Sequence, residues 1–136
     1  MTRTRGSVSV EAVMIIPAFL LFLALIAAIG RTAVIREDLH STAVNASRVA
    51  SQQTSALEGE RAARKVIADQ LSGGTCRTLD ISLNTAALDY APGRPGSVSV
   101  TISCVVGLSD LSVPGLPGQI RLTETFTTPI DTYTDR

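Results

Sequence analysis

Gly6–Arg31, GSVSVEAVMIIPAFLLFLALIAAIGR, decides how this chain is read. A lone carboxylate, Glu11, precedes an uncharged run from Ala12 to Gly30 of about 19 residues, which as a helix covers about 28 Å. The hydrocarbon core of a bilayer is ~30 Å thick, so the segment is long and apolar enough to cross one. A secretory signal has a shorter apolar core, about 7 to 15 residues. Arg3 and Arg5 suit its basic start and Ala28-Ile29-Gly30 its cleavage site, yet the length favours a retained helix. Pro17 falls inside the run, removes one helix hydrogen bond and predicts a kink, a loss that neighbouring helices or local adjustment absorb in a membrane. Glu11 sits at the rim, where a carboxylate is costly to submerge but favourable at the positive end of the helix dipole.

Outward from this segment, Thr32–Gln53 contains no proline or glycine. Ile35, Leu39, Ala43, Ala46, Val49 and Ala50 recur in steps of three and four, the stripe of an amphipathic helix. The membrane helix is therefore expected to continue as a stalk. The small residues Ala33, Ala43, Ala46 and Ala50 would admit another helix at close range. The stripe packs either on the chain's own domain or on sister subunits. A second helix is expected from about Ser55 to Leu71: Ser55 and Glu58 have capping-box spacing, Ala63, Val66, Ile67 and Leu71 form the apolar face, and Gly73-Gly74 ends it. Glu58, Glu60, Arg61, Arg64 and Lys65 read as a solvated face with local ion pairing.

Beyond the paired glycines the period changes to two. Leu79, Ile81 and Leu83 alternate with polar residues, then Val98, Val100, Ile102, Cys104 and Val106, then Ile120, Leu122, Glu124 and Phe126. The connections, NTAALDYAPGRPG and GLSDLSVPGLPG, are rich in glycine and proline and leave no room for a crossover helix, so an antiparallel meander is expected. The terminal PIDTYTDR is polar and is expected to fray. The fold class is α+β: a transmembrane and stalk helix over 7–54, then a domain over 55–136 made of a short helix and a small three-stranded antiparallel sheet. Arginines flank the apolar run on both sides, so charge alone orients it weakly. The cysteine pair and the short N-terminal tail favour a cytoplasmic N-terminus and an extracytoplasmic domain.

Chemistry is sparse. Lys plus Arg equals Asp plus Glu at 12 each, tryptophan is absent and aromatics make up 4%, which leaves neither an electrostatic footprint nor stacking surfaces for nucleic acid. The two cysteines, Cys76 and Cys104, suit a disulfide worth roughly 3 to 4 kcal/mol in an oxidising compartment. Unpaired buried thiols, or half of a metal site, are the competing readings. The single histidine, His40, has Asp38 two positions away, a spacing that does not share a helix face. No G-x-S-x-G elbow, phosphate loop or H-E-x-x-H is present, so an enzyme or a cofactor is not expected.

The segment RGSVSVEAVMIIPAFLLFLALIAAIGR resembles the N-terminus of TadE-like proteins, pseudopilins of the bacterial Tad (Flp-type) pilus assembly system within the type IV pilin superfamily. In that family a basic leader ends in glycine, a prepilin peptidase cuts after it, and glutamate is the fifth mature residue. Arg5-Gly6, Ser7 and Glu11 occupy those places, Pro17 matches a common proline, and Gly30-Arg31 resembles the usual membrane exit; Ala12 stands where many members have an aromatic residue. The resemblance implies a leader over 1–6, cleavage between Gly6 and Ser7, and a Glu11 carboxylate paired with the new amine of an adjacent subunit. It further implies a noncatalytic, pilin-like fold. The partners it implies are other pilin-like subunits, the peptidase, inner-membrane platform proteins and the lipid bilayer. Two rivals stand beside it: a membrane-tethered binding domain, and a small protein secreted after cleavage at Gly30.

Overall fold

A computed structural model describes residues 7–91, 93–111 and 117–131. The first helix, α1, is a single element of 45 residues, Ser7–Ser51, and runs through Pro17 without a break. Nothing after Gly30 interrupts it until its last turn, where the Gln53 backbone and side-chain N–H groups donate to the carbonyls of Ala50 and Val49, both at 3.1 Å. The second helix, α2, spans Ala56–Gln70, with Ser55 as its N-cap in an extended conformation.

The capping at α2 departs from the expected reciprocal box. The Ser55 hydroxyl accepts from the Glu58 N–H at 3.4 Å, but the Glu58 carboxylate accepts from the Thr54 hydroxyl at 2.7 Å. A second helix-end donor, the Ala56 N–H, is taken by the Asp89 carboxylate at 2.9 Å. Gly59 allows α2 to approach α1: a Cβ there would stand 2.5 Å from Leu88 Cδ1 and 3.3 Å from the Ala50 carbonyl oxygen. After α2 the chain turns at Gly74, whose φ of 68° is left-handed.

Three strands follow, β1 (Thr78–Asn84), β2 (Ser97–Gly107) and β3 (Gln119–Pro129), in the antiparallel order β1-β2-β3. The meander is thus as expected, with Leu79 opposite Cys104 and Cys104 opposite Leu122. Alternation on β2 puts Val98, Val100, Ile102, Cys104 and Val106 in the core. The same alternation on β1 lies at the sheet's edge, so Ile81 and Leu83 are half-buried and Leu79 remains 37% exposed. Both connections hold more structure than glycine and proline suggest, with 3-10 turns at Ala86–Asp89 and Leu108–Leu111 that bury Leu88 and Leu111. The expectation of a frayed C-terminal tail fails at its start. Pro129 closes β3, Ile130 is buried, and its N–H donates to the Gly96 carbonyl at 2.9 Å. The rest of that tail, from Thr132, lies outside the described residues.

The core forms where α1 lies across β2 and β3 with α2 beside it. Ile35, Leu39, Ala43, Ala46 and Ala50 meet Ala63 and Ile67 of α2 and the inner face of the sheet. Each large side chain so buried contributes about 1.5–3 kcal/mol. The stripe therefore packs on the chain's own domain, and Ala43, Ala46 and Ala50 are used up there rather than offered to another helix; Ala33 alone of the four is exposed. The hydroxyl pair Ser47–Thr128, 2.7 Å apart, lies within this interface.

Candidate membrane and assembly segment

The first half of α1 stands clear of the domain. Phe19, Leu20, Leu21, Phe22 and Leu23 are exposed in succession, Leu21 at 71%, so no single direction around the helix is covered. Only 6% of its most apolar window is buried, which separates it from the core helix of a soluble domain. The helix is long and apolar enough to cross a membrane. Exposing such a cylinder to water would cost on the order of 20 kcal/mol at about 1.5–3 kcal/mol for each large side chain.

Ser7 is the first residue of α1 and Glu11 lies one turn further on, while Gly6 lies outside the described residues. Pro17 is inside the helix, where its ring nitrogen has no hydrogen to offer the carbonyl of Val13. These residues lie on one stretch of helix; the cysteines are elsewhere. Cys76 and Cys104 form a disulfide with Cα atoms 5.3 Å apart, tying the junction between α2 and β1 to the core face of β2. The readings as free thiols or metal ligands are thereby excluded.

The disulfide belongs to a second constellation, at the end of the domain nearest the apolar run. Arg77, next to Cys76, donates from Nε to Asp110 Oδ2 at 2.9 Å and from a terminal nitrogen to the Ser109 hydroxyl at 2.9 Å. The Arg77 hydrogen bond holds the Asp110 carboxyl below its ordinary range, and Asp110 in turn raises the Arg77 pKa, first through that hydrogen bond and then through its charge. Gly107 lies under the guanidinium, in space that any side chain would contest. The pair joins the start of β1 to the Leu108–Leu111 turn. It was not legible in the sequence, because it depends on a turn that brings Asp110 back to Arg77 across 33 positions.

Beside that turn, Ala28, Ile29, Thr32, Ala33, Arg36 and Glu37 of α1 face Leu108, Leu111 and Ile120 across a cleft of about 440 Å³. Ala28 already packs against the domain core, and Thr32 returns its hydroxyl to the Ala28 carbonyl at 2.9 Å. One turn above, Glu124 on the inner face of β3 lies 3.4 Å from Arg36 Nε and 3.7 Å from His40 Nδ1. The His40 ring also meets Phe126 edge-on, with centroids 6.0 Å apart. His40 thus serves the packing of α1 on the sheet, and Asp38 plays no part in that contact. Among the described residues no group of three or more His, Cys, Asp or Glu is placed to hold a metal ion. No family model matches the chain, and no curated protein or solved structure matches it.

Proposed function

We propose that the chain is a membrane-anchored minor pseudopilin that acts structurally in assembly or priming of a Tad/Flp-type pilus. The observation that carries this reading is the division of α1: one continuous helix whose apolar half projects from a small α+β domain built on its other half. A helix of that kind holds a subunit in the bilayer before assembly and gives neighbouring subunits an apolar surface to pack on. The position of Glu11 supports it further. Cleavage after Gly6 would free an amine on Ser7 one helical turn from that carboxylate, and the two charges of adjacent subunits would neutralise each other in a medium hostile to either alone. In this reading the segment is a single-pass anchor with its N-terminus in the cytoplasm, the domain is extracytoplasmic, and its partners are other pilin-like subunits, the prepilin peptidase and the inner-membrane platform.

Mass measurement of the N-terminus after co-expression with a prepilin peptidase tests the proposal. A chain starting at Ser7 is expected. An intact Met1 overturns processing, and a start at Arg31 assigns the chain to secretion instead. Glu11→Ala is expected to leave membrane integration unchanged while weakening co-purification with pilin-like subunits; undiminished co-purification rejects the charge pairing.

A further inference from the structure

We infer that the base of the domain, the turn Leu108–Leu111 with the start of β3, is itself a lipid-contacting surface, and that phospholipid acyl chains fill the cleft between it and α1. The inference rests on the apolar half of α1 spanning a bilayer and goes beyond it, because a span alone leaves the domain free to stand off on a stalk. No such spacer exists. Packing of α1 on the domain begins at Ala28, inside the apolar run, and resumes at Ile35, with the cleft lying between these two contacts. Lifting the domain away from the membrane would draw Ala28 and Ile29 into water.

The lining of the cleft is graded as a bilayer interface is graded. Its floor is apolar, with Ala28 and Ile29 opposite Leu108 and Ile120. Its polar lining is Thr32, Arg36 and Glu37, and the Arg36 side chain is 63% exposed and meets Glu124 at 3.4 Å. Arg36 lies about 9 Å along the helix beyond Gly30. The headgroup layer adds about 5–8 Å on each side of the hydrocarbon core, and helical side chains lean back toward the N-terminus, so the Arg36 guanidinium stands at the outer level of the lipid headgroups while the floor stands at the glycerol end of their chains. The cleft lies where the apolar run meets the domain, so lipid packed around the run reaches its apolar lining. The disulfide and the Arg77–Asp110 pair fix this end of the domain, so its shape is set before it meets the surface.

The chain has no tryptophan, so single-tryptophan variants of the full-length protein report depth without background. In vesicles of phosphatidylcholine and phosphatidylglycerol brominated on their acyl chains, Leu108→Trp is expected to emit at shorter wavelength and to be quenched. Ala33→Trp, at an exposed position on the opposite wall, is a second probe in case the first disturbs folding. Tyr90→Trp, at the far end of the domain, is expected to stay unquenched, and Phe22→Trp in the span to be quenched most. Unquenched probes at both 108 and 33 beside a quenched Phe22→Trp overturn the inference and leave the span intact. An unquenched Phe22→Trp overturns the span and the inference together. Disulfide crosslinking of Leu108→Cys between two chains in place of quenching would assign the cleft to a second copy and reject lipid as its occupant.

Discussion

The two halves of α1 are made from much the same apolar residues and are joined in one helix, yet they have opposite surroundings. From Ile15 to Ala27, apolar residues follow one another with no polar interruption, and no face of the helix packs on the domain. After Gly30, Arg36, Glu37, Asp38, His40 and Arg48 occupy one side and Ile35, Leu39, Ala43, Ala46 and Ala50 the other, and the second set is buried. Helix formation is local and similar in the two halves. What differs is whether the apolar residues have a face: an apolar cylinder asks for an apolar solvent, while a stripe asks for a sheet.

Placing a carboxylate in each half should break this symmetry most visibly. Leu39 has no exposure, so Leu39→Asp removes its packing and buries an unpartnered charge, a loss of more than about 4 kcal/mol, enough to unfold a domain of this size. Its sheet signal in circular dichroism is expected to lose its cooperative melt. Leu21→Asp, at an exposed site of the apolar half, should leave that melt unchanged and penalise membrane insertion instead, by about 2.5–3.5 kcal/mol. If Leu21→Asp lowered the domain's melting temperature as far as Leu39→Asp does, the two halves would not be independent.

The sequence made these halves legible to different depths. Run length and lack of charge alone point to the first half as a span, because a bilayer reads only those properties. The stripe of the second half was equally visible, but not its partner, since Ala43, Ala46 and Ala50 suit a neighbouring subunit's helix as well as Gly59 of α2. Strand β2 is legible face by face in its alternation, with Val98, Val100, Ile102, Cys104 and Val106 inward. Hidden contacts are those made by side chains far apart in the chain: Ala56 with Asp89, Arg77 with Asp110, Glu124 with Arg36 and His40. The burial of Ile130 was hidden as well, because a polar tail masks the single apolar residue that closes the core beside Gly96. Of the candidate site, Ser7, Glu11 and Pro17 fall on the expected helix, whereas the cleft at the domain's base has no sequence signal, being made by a turn and a strand end.

A smaller effect sharpens the comparison from the side of the domain. Replacing both Cys76 and Cys104 by serine removes the closure of the loop between them, worth roughly 3 to 4 kcal/mol in the loop-entropy model. The free energy of unfolding of the domain in urea should fall by that amount, with a correspondingly lower midpoint, and so should that of the unaltered protein under reductant. Resistance of the membrane-bound fraction to alkaline extraction should not change, because the apolar half touches no part of the loop before Ala28. Extraction of the double variant by alkali would mean that the folded domain helps to hold the span.

The smallest effect is a pH dependence carried by Asp110. Arg77 keeps the Asp110 carboxyl below the ordinary aspartate value of about 3.9 in the folded protein. The unfolded chain therefore takes up a proton before the folded one does. The pair's contribution is complete above that ordinary value and is lost as the pH falls through the depressed one. Arg77, raised in the folded state, adds no second window, since its contribution is complete everywhere below the ordinary arginine range. Both side chains are well exposed, so solvent screening keeps the gain small. Asp110→Asn should thus melt slightly below the unaltered protein at neutral pH, and the gap should close on acidification below about pH 4. A gap that persists to the bottom of that range would show Asp110 acting through the shape of the Leu108–Leu111 turn. The turn would then be held by geometry that asparagine fails to supply, and the base of the domain would keep its form at any pH in which the disulfide survives.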